Sequence, residues 1–164
     1  MTLLQLAALL FSLRRIGYEK RKAEDLRAFC ALLEQLGGAL GSEAAPMPEL
    51  IGSLLPRADG AAAVFLQTLA DSMDQLGAFS FFELWKSALY ASRAVLDSES
   101  ARAIAELGSF LGRYELNSQL RAVDACHKSL CIRLETLRQR FPQTERLTLG
   151  LSLAASALLG IILI

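Results

Sequence analysis

Residues 116–141 read LNSQLRAVDACHKSLCIRLETLRQRF, and within them Leu116, Leu120, Val123, His127, Leu130, Leu134, Leu137 and Phe141 are spaced alternately four and three residues apart. An α-helix turns once in about 3.6 residues, so this spacing draws one apolar seam down a long helix suited to lying along another long helix. The period of two that marks a half-buried strand is missing. A matching stripe lies toward the other end of the chain, where Leu26, Phe29, Leu33, Leu36 and Leu40 step by three, four, three and four. Together the stripes predict an all-α bundle framed by long N- and C-terminal helices. Gly37, Gly38 and Gly41 are expected to loosen the first of them.

Between the stripes the signals are those of short helices. Pro46, Met47, Pro48 and Glu49 read as a helix start, with Pro48 suited to the first turn and Glu49 favourable beside the positive end of the helix dipole. Asp59 is placed to cap a helix reaching about Leu76. Ser80 and Glu83 form a capping box ahead of FFELWKSALYASR, and Asp97 or Ser98 caps ESARAIAELGSFL, which Gly112 is placed to close. Pro142 falls just before the last apolar run, where it is expected to kink or restart the helix.

Working outward, both ends of the chain are uncharged and apolar: TLLQLAALLFSL at 2–13 and LTLGLSLAASALLGIILI at 147–164. The 164 residues carry 17 basic and 17 acidic side chains and are 53% apolar. Their mean hydropathy of +0.36 is high for a soluble domain. Without the two end runs the remainder averages roughly zero on the same scale, so the excess is terminal. At about 1.5 Å per residue the C-terminal run spans about 27 Å, close to the hydrocarbon thickness of a bilayer, whereas the N-terminal run reaches only about 18 Å. The latter reads as a short membrane segment from which Arg14 and Arg15 snorkel to the headgroups. A signal peptide fits less well, because no basic residue precedes the run. The expected organisation is a membrane segment at 1–16, a cytoplasmic helical bundle at 17–146 and a transmembrane helix at 147–164.

Charge sets the expected orientation. Arg14, Arg15, Lys20, Arg21, Lys22 and Arg27 follow the first run, Arg133, Arg138, Arg140 and Arg146 precede the last, and no Lys or Arg flanks either outer end. Positive charge stays on the cytoplasmic side, so both termini are expected to face outward. The composition argues against a polytopic transporter and a disordered chain. Three cysteines do not make a secreted disulfide scaffold, and zero net charge disfavours nucleic-acid binding.

Chemical motifs are scarce. The sequence holds no phosphate-binding glycine loop, nucleophile elbow or paired metal motif. Cys126, His127 and Cys131 lie close together on one helix, but His127 sits on the seam and no second ligand set completes a zinc site, so it reads as a core histidine. Cys30 has no sequence partner. The expectation is a non-enzymatic chain with no catalytic residue, metal or cofactor. From Asp59 to Glu115 acidic residues outnumber basic ones, which describes either a solvated face or an acidic membrane-distal surface that docks a basic partner. Asp71, Asp74, Glu83, Glu115 and Gln119 are the candidate contact residues.

Residues 107–119, LGSFLGRYELNSQ, followed by a long amphipathic helix and an apolar tail, resemble the signature of the stage III sporulation protein AB family. The correspondence lies in Leu107 and Gly108, Leu111 and Gly112, Glu115 where aspartate is common, and Gln119. Pro46 to Glu49 is similar to a proline-leucine segment of that family, and Phe82 to Leu89 with Trp85 to its central aromatic helix. The resemblance implies a fold similar to the cytoplasmic domains of type II secretion platform proteins. It further implies a role in the channel complex joining mother cell and forespore, in the mother-cell membrane facing the forespore, beside other membrane proteins and a secretion-type ATPase. Self-association stays open, and so does the rival reading of an unrelated membrane-tethered helical adaptor or sensor. The corner at 112–119 has two readings: Gly112 closing a helix with Gln119 bridging the turn, or a partner contact.

Overall fold

The computed structural model describes the backbone of residues 2–42 and 45–162 and the side chains of residues 14, 17–42 and 45–139. Among the described residues there are six α-helices: α1 (Thr2–Ser42), α2 (Met47–Leu54), α3 (Gly60–Asp71), α4 (Phe81–Ala91), α5 (Ser98–Leu107) and α6 (Leu116–Ile162). Short 3-10 turns follow α2 at Leu55–Arg57 and α3 at Met73–Gln75. Among the described residues extended pairing is limited to one isolated bridge between Leu76 and Phe79.

The two long helices pair antiparallel. A Cβ added at Gly37 would lie 3.5 Å from Val123 Cγ1, and one at Gly41 would lie 4.0 Å from Leu120 Cδ2. Numbers rising along α1 match numbers falling along α6, so the start of α1 and the end of α6 lie at the same end of the pair. Leu26, Phe29, Leu33, Leu36 and Leu40 are buried on α1, as are Val123, Leu130 and Leu134 on α6. Leu116 departs from the expected seam and is 48% exposed. By the pairing just given its partner would lie beyond Ser42, where α1 has ended. The three glycines do not loosen α1, which continues to Ser42; packing against α6 overrides a propensity cost of about 1 kcal/mol per glycine.

Helices α2 to α5 build the core against this pair. Phe29, Phe65 and Trp85 stack in sequence, with ring centroids 5.6 and 4.7 Å apart, the second pair edge-to-face at 82°. Trp85 Nε1 donates to the Ile104 carbonyl at 2.7 Å, which satisfies its buried polar atom. The indole lies so close to Gly108 that an added Cβ there would sit 2.4 Å from Trp85 Cδ1. Asp25 on α1 is buried, and its Oδ2 accepts the Val95 N–H at 2.8 Å, tying the α4–α5 connection to the frame.

Local start signals behave as expected at three of the four helices. Pro46 precedes α2 with Glu49 in the first turn, Ser80 and Glu83 complete the capping box of α4, and Asp97 caps α5 by accepting the Ser100 N–H at 3.0 Å. Asp59 occupies the N-cap position of α3 without a side-chain cap bond, and α3 ends at Asp71 instead of reaching Leu76. The Ser72 hydroxyl donates to the Leu69 carbonyl at 2.8 Å, and a 3-10 turn follows. Helix α5 stops at Leu107, earlier than the Gly112 closure anticipated.

Among the described residues no helix is long and apolar enough to cross a membrane. The side chains of the runs at 2–13 and 147–164, read above as membrane segments, lie outside those residues, as do those of Arg15 and Arg146.

Candidate docking surface

The five residues singled out as contacts fall on two separate corners. Asp71 ends α3, Asp74 lies in the connection that follows and Glu83 is in the first turn of α4; all three are exposed. Asp71 Oδ1 accepts a hydrogen bond from Gln67 Nε2 at 2.8 Å. Glu83 is committed locally: its Oε2 accepts from the Ser80 N–H and from Ser80 Oγ, each at 2.8 Å. The Ser80 backbone N–H, joined by the hydroxyl, holds the Glu83 carboxyl below its ordinary pKa. This leaves Asp71 and Asp74 as the acidic groups not bound to their own helix start.

Two apolar side chains sit among these acids. Leu76 and Phe79 are 40% and 51% exposed, presented by a turn in which Gly77 adopts φ 110°. The apolar pattern of α3 carried the expected helix on to Leu76, so the sequence did not mark these two side chains as exposed on a turn.

The second corner joins α5 to α6. Gly112 takes φ 74°, a conformation open to glycine. Its N–H donates to Gln119 Oε1 at 3.2 Å, while Gln119 Nε2 donates to the Tyr114 carbonyl at 2.6 Å. The Glu115 carbonyl accepts from the Ser118 and Gln119 N–H groups at 2.9 and 3.1 Å, so Glu115 starts α6 through its main chain. Gln119 therefore bridges the turn. Phe110 and Tyr114 stack at 5.5 Å and, with Leu116, remain exposed. Among the described residues no hydrogen bond or ion pair links this corner to the α3–α4 connection.

The acidic middle does not form one surface. Arg133 on α6 pairs with Asp97 at 3.2 Å and also with Glu99, and Lys22 lines the same groove. Burial pushes the Asp97 carboxyl up, but the Ser100 hydrogen bonds together with Arg133 and Lys22 outweigh it and hold the group below its ordinary value. Glu106 pairs with Arg102 on α5. Of the basic residues near the start of α1, Arg14, Lys20 and Arg21 are exposed and Lys22 is half-buried. The pairing of α1 with α6 sets these residues and Arg138 at one end and the corner at 112–119 at the other.

The cysteine and histidine residues of α6 are divided between core and surface. Cys126 is buried, which pushes its thiol up to about 12. His127 and Cys131 are half-buried, with His127 Nε2 3.3 Å from Cys131 Sγ. Among the described residues no three His, Cys, Asp or Glu side chains are grouped to hold a metal ion.

The family model of stage III sporulation protein AB matches residues 1–164. The chain belongs to the stage III sporulation protein AB family. A solved structure titled stage III sporulation protein AB (SpoIIIAB) has the same fold, with a TM-score of 0.66 at 15% identity over 74% of this chain and 97% of that one. No curated protein matches the chain. Within this sporulation family, the residues that carry the resemblance now have local roles here: Gly108 admits Trp85, Gly112 turns the chain, and Gln119 clasps that turn.

Proposed function

We propose that the chain is a non-enzymatic platform of the mother cell–forespore channel complex required for endospore formation, docking a secretion-type ATPase on the cytoplasmic side. Family membership over residues 1–164 carries this reading. The antiparallel α1–α6 pair supports it, because the two apolar runs extend from the same end and a single bilayer would receive both. Basic residues gathered at that end suit anionic headgroups, with the other membrane proteins of the complex as neighbours. At the other extreme the 112–119 corner offers Phe110, Tyr114 and Leu116 beside Glu115. The α3–α4 turn offers the exposed Leu76 and Phe79, with the exposed Asp71 and Asp74 a few residues before them in the chain. Apolar anchors inside a charged rim suit a partner with a basic, apolar-centred face.

The test is binding of the full chain, reconstituted in lipid, to the secretion-type ATPase of the same spore-former. Asp71→Lys with Asp74→Lys is expected to weaken the complex at least about tenfold and to flatten its salt dependence. Ser80→Ala, which disturbs only the cap, is expected to leave affinity unchanged. Undiminished binding by the double reversal would exclude the α3–α4 turn as the ATPase site.

A further inference from the structure

Helix α4 has two faces. Leu84, Trp85 and Ala88 are buried, and Phe81 and Leu89 pack against the same core. On the outside Phe82, Lys86 and Tyr90 follow one another at intervals of four residues, which stacks them along one side of the helix. Tyr90 is 89% exposed, and Lys86 Nζ lies 5.2 Å from the centre of the Phe82 ring, a cation–π contact that holds the ammonium over an aromatic surface. Glu83, the carboxylate that α4 itself carries, is engaged by Ser80.

Arg93 follows the end of α4, is exposed and takes φ 52°; among the described residues it is the one non-glycine residue with positive φ. Just past a helix end this conformation favours glycine, because an L side chain meets a steric cost there. The backbone thus asks for glycine where the sequence places a guanidinium, at the foot of the aromatic stripe. Among the described residues neither Lys86 nor Arg93 forms an ion pair. The stripe lies on the flank of the bundle. Trp85 in the first half of α4 lies against Gly108, toward the 112–119 corner, whereas Val95 beyond its end bonds Asp25, toward the end from which the apolar runs extend.

We propose that the outer face of α4, from Phe82 to Arg93, docks an acidic amphipathic helix of a second protein. Phe82 and Tyr90 supply the apolar contact, and Lys86 and Arg93 supply the charge. Carboxylates on the partner complement the two cations, with apolar side chains between them to meet the rings. Arg93 comes seven residues after Lys86, two helical turns or about 10 Å along the axis, so the matching carboxylates stand seven residues apart on the partner helix. The stripe is basic where the α3–α4 turn, with Asp71 and Asp74, is acidic. The two surfaces therefore select partners of opposite charge, and the stripe does not depend on the ATPase reading.

The experiment uses the full chain in phosphatidylcholine nanodiscs. The probe is a fluorescent synthetic helix of about 20 residues, long enough to hold its helix, with glutamates seven residues apart and leucines between them. The wild-type chain is expected to bind it at least about tenfold tighter than an isomeric peptide whose glutamates stand five residues apart, on different sides of the helix. Lys86→Glu with Arg93→Glu is expected to weaken binding at least about tenfold, and lysines in place of the peptide's glutamates are expected to restore it. Arg93→Gly is expected to weaken binding without lowering the denaturant midpoint, which separates lost docking from lost folding. The proposal is overturned if the wild-type chain does not distinguish the two peptides, if the double reversal binds undiminished, or if the lysine peptide fails to restore binding. Should the chain ignore the peptide but self-associate, or bind phosphatidylglycerol vesicles, through Lys86 and Arg93, the face belongs to a second copy or to lipid and the proposal is equally overturned.

Discussion

Among the described glycines, Gly108 leaves the least room for a side chain, because Trp85 lies against it. The indole is 2% exposed, held from one side by Phe65 and anchored by its bond to the Ile104 carbonyl, so it has no room to retreat from a new methyl group 2.4 Å away. Gly108→Ala is therefore expected to destabilise the fold by about 1–3 kcal/mol, read as a lower denaturant midpoint, although alanine is the better helix former. Asp97 sets a second constraint, this one dependent on pH. Its carboxyl is held below the ordinary value, so its stabilisation is fully present above the unfolded value near 4 and is lost as pH falls through the lower folded value. Asp97→Asn retains a capping oxygen but loses the charge facing Arg133. The expected outcome is a smaller stability difference between neutral pH and pH 3 than in the wild type, measured by denaturant titration at both.

At the scale of elements, helix starts were legible and helix ends were less so. The Ser80–Glu83 box and the Asp97 cap use hydrogen bonds between residues three apart, which the sequence displays directly. The end of α3 depends on Ser72 folding its hydroxyl back on Leu69, against an apolar pattern that carries on to Leu76. Helix α1 passes through three glycines because α6 is laid against it, a tertiary term absent from local propensity. Gly38 is helical, exposed and has nothing within 4 Å of an added Cβ. Gly38→Ala should accordingly stabilise the chain by about 0.5–1 kcal/mol, seen as a raised denaturant midpoint with unchanged slope.

For the molecule as a whole, heptad-like periodicity was enough to predict that the first and last helices pair, since each stripe is a long apolar surface that water disfavours and the other stripe fits. The all-α class, the short helices between, and the family followed from residues close together in the chain, where spacing maps directly onto a helix face or a cap. What meets across the chain was decided only by the tertiary structure. Arg133 pairs with Asp97 and Glu99, two carboxylates of the acidic stretch that the sequence left open between a solvated face and a docking surface. Trp85 gives Gly108 its reason, and Leu76 and Phe79 are left exposed at a turn. These contacts depend on the approach and rotation of packed helices, quantities that side-chain order constrains within one helix but not between two.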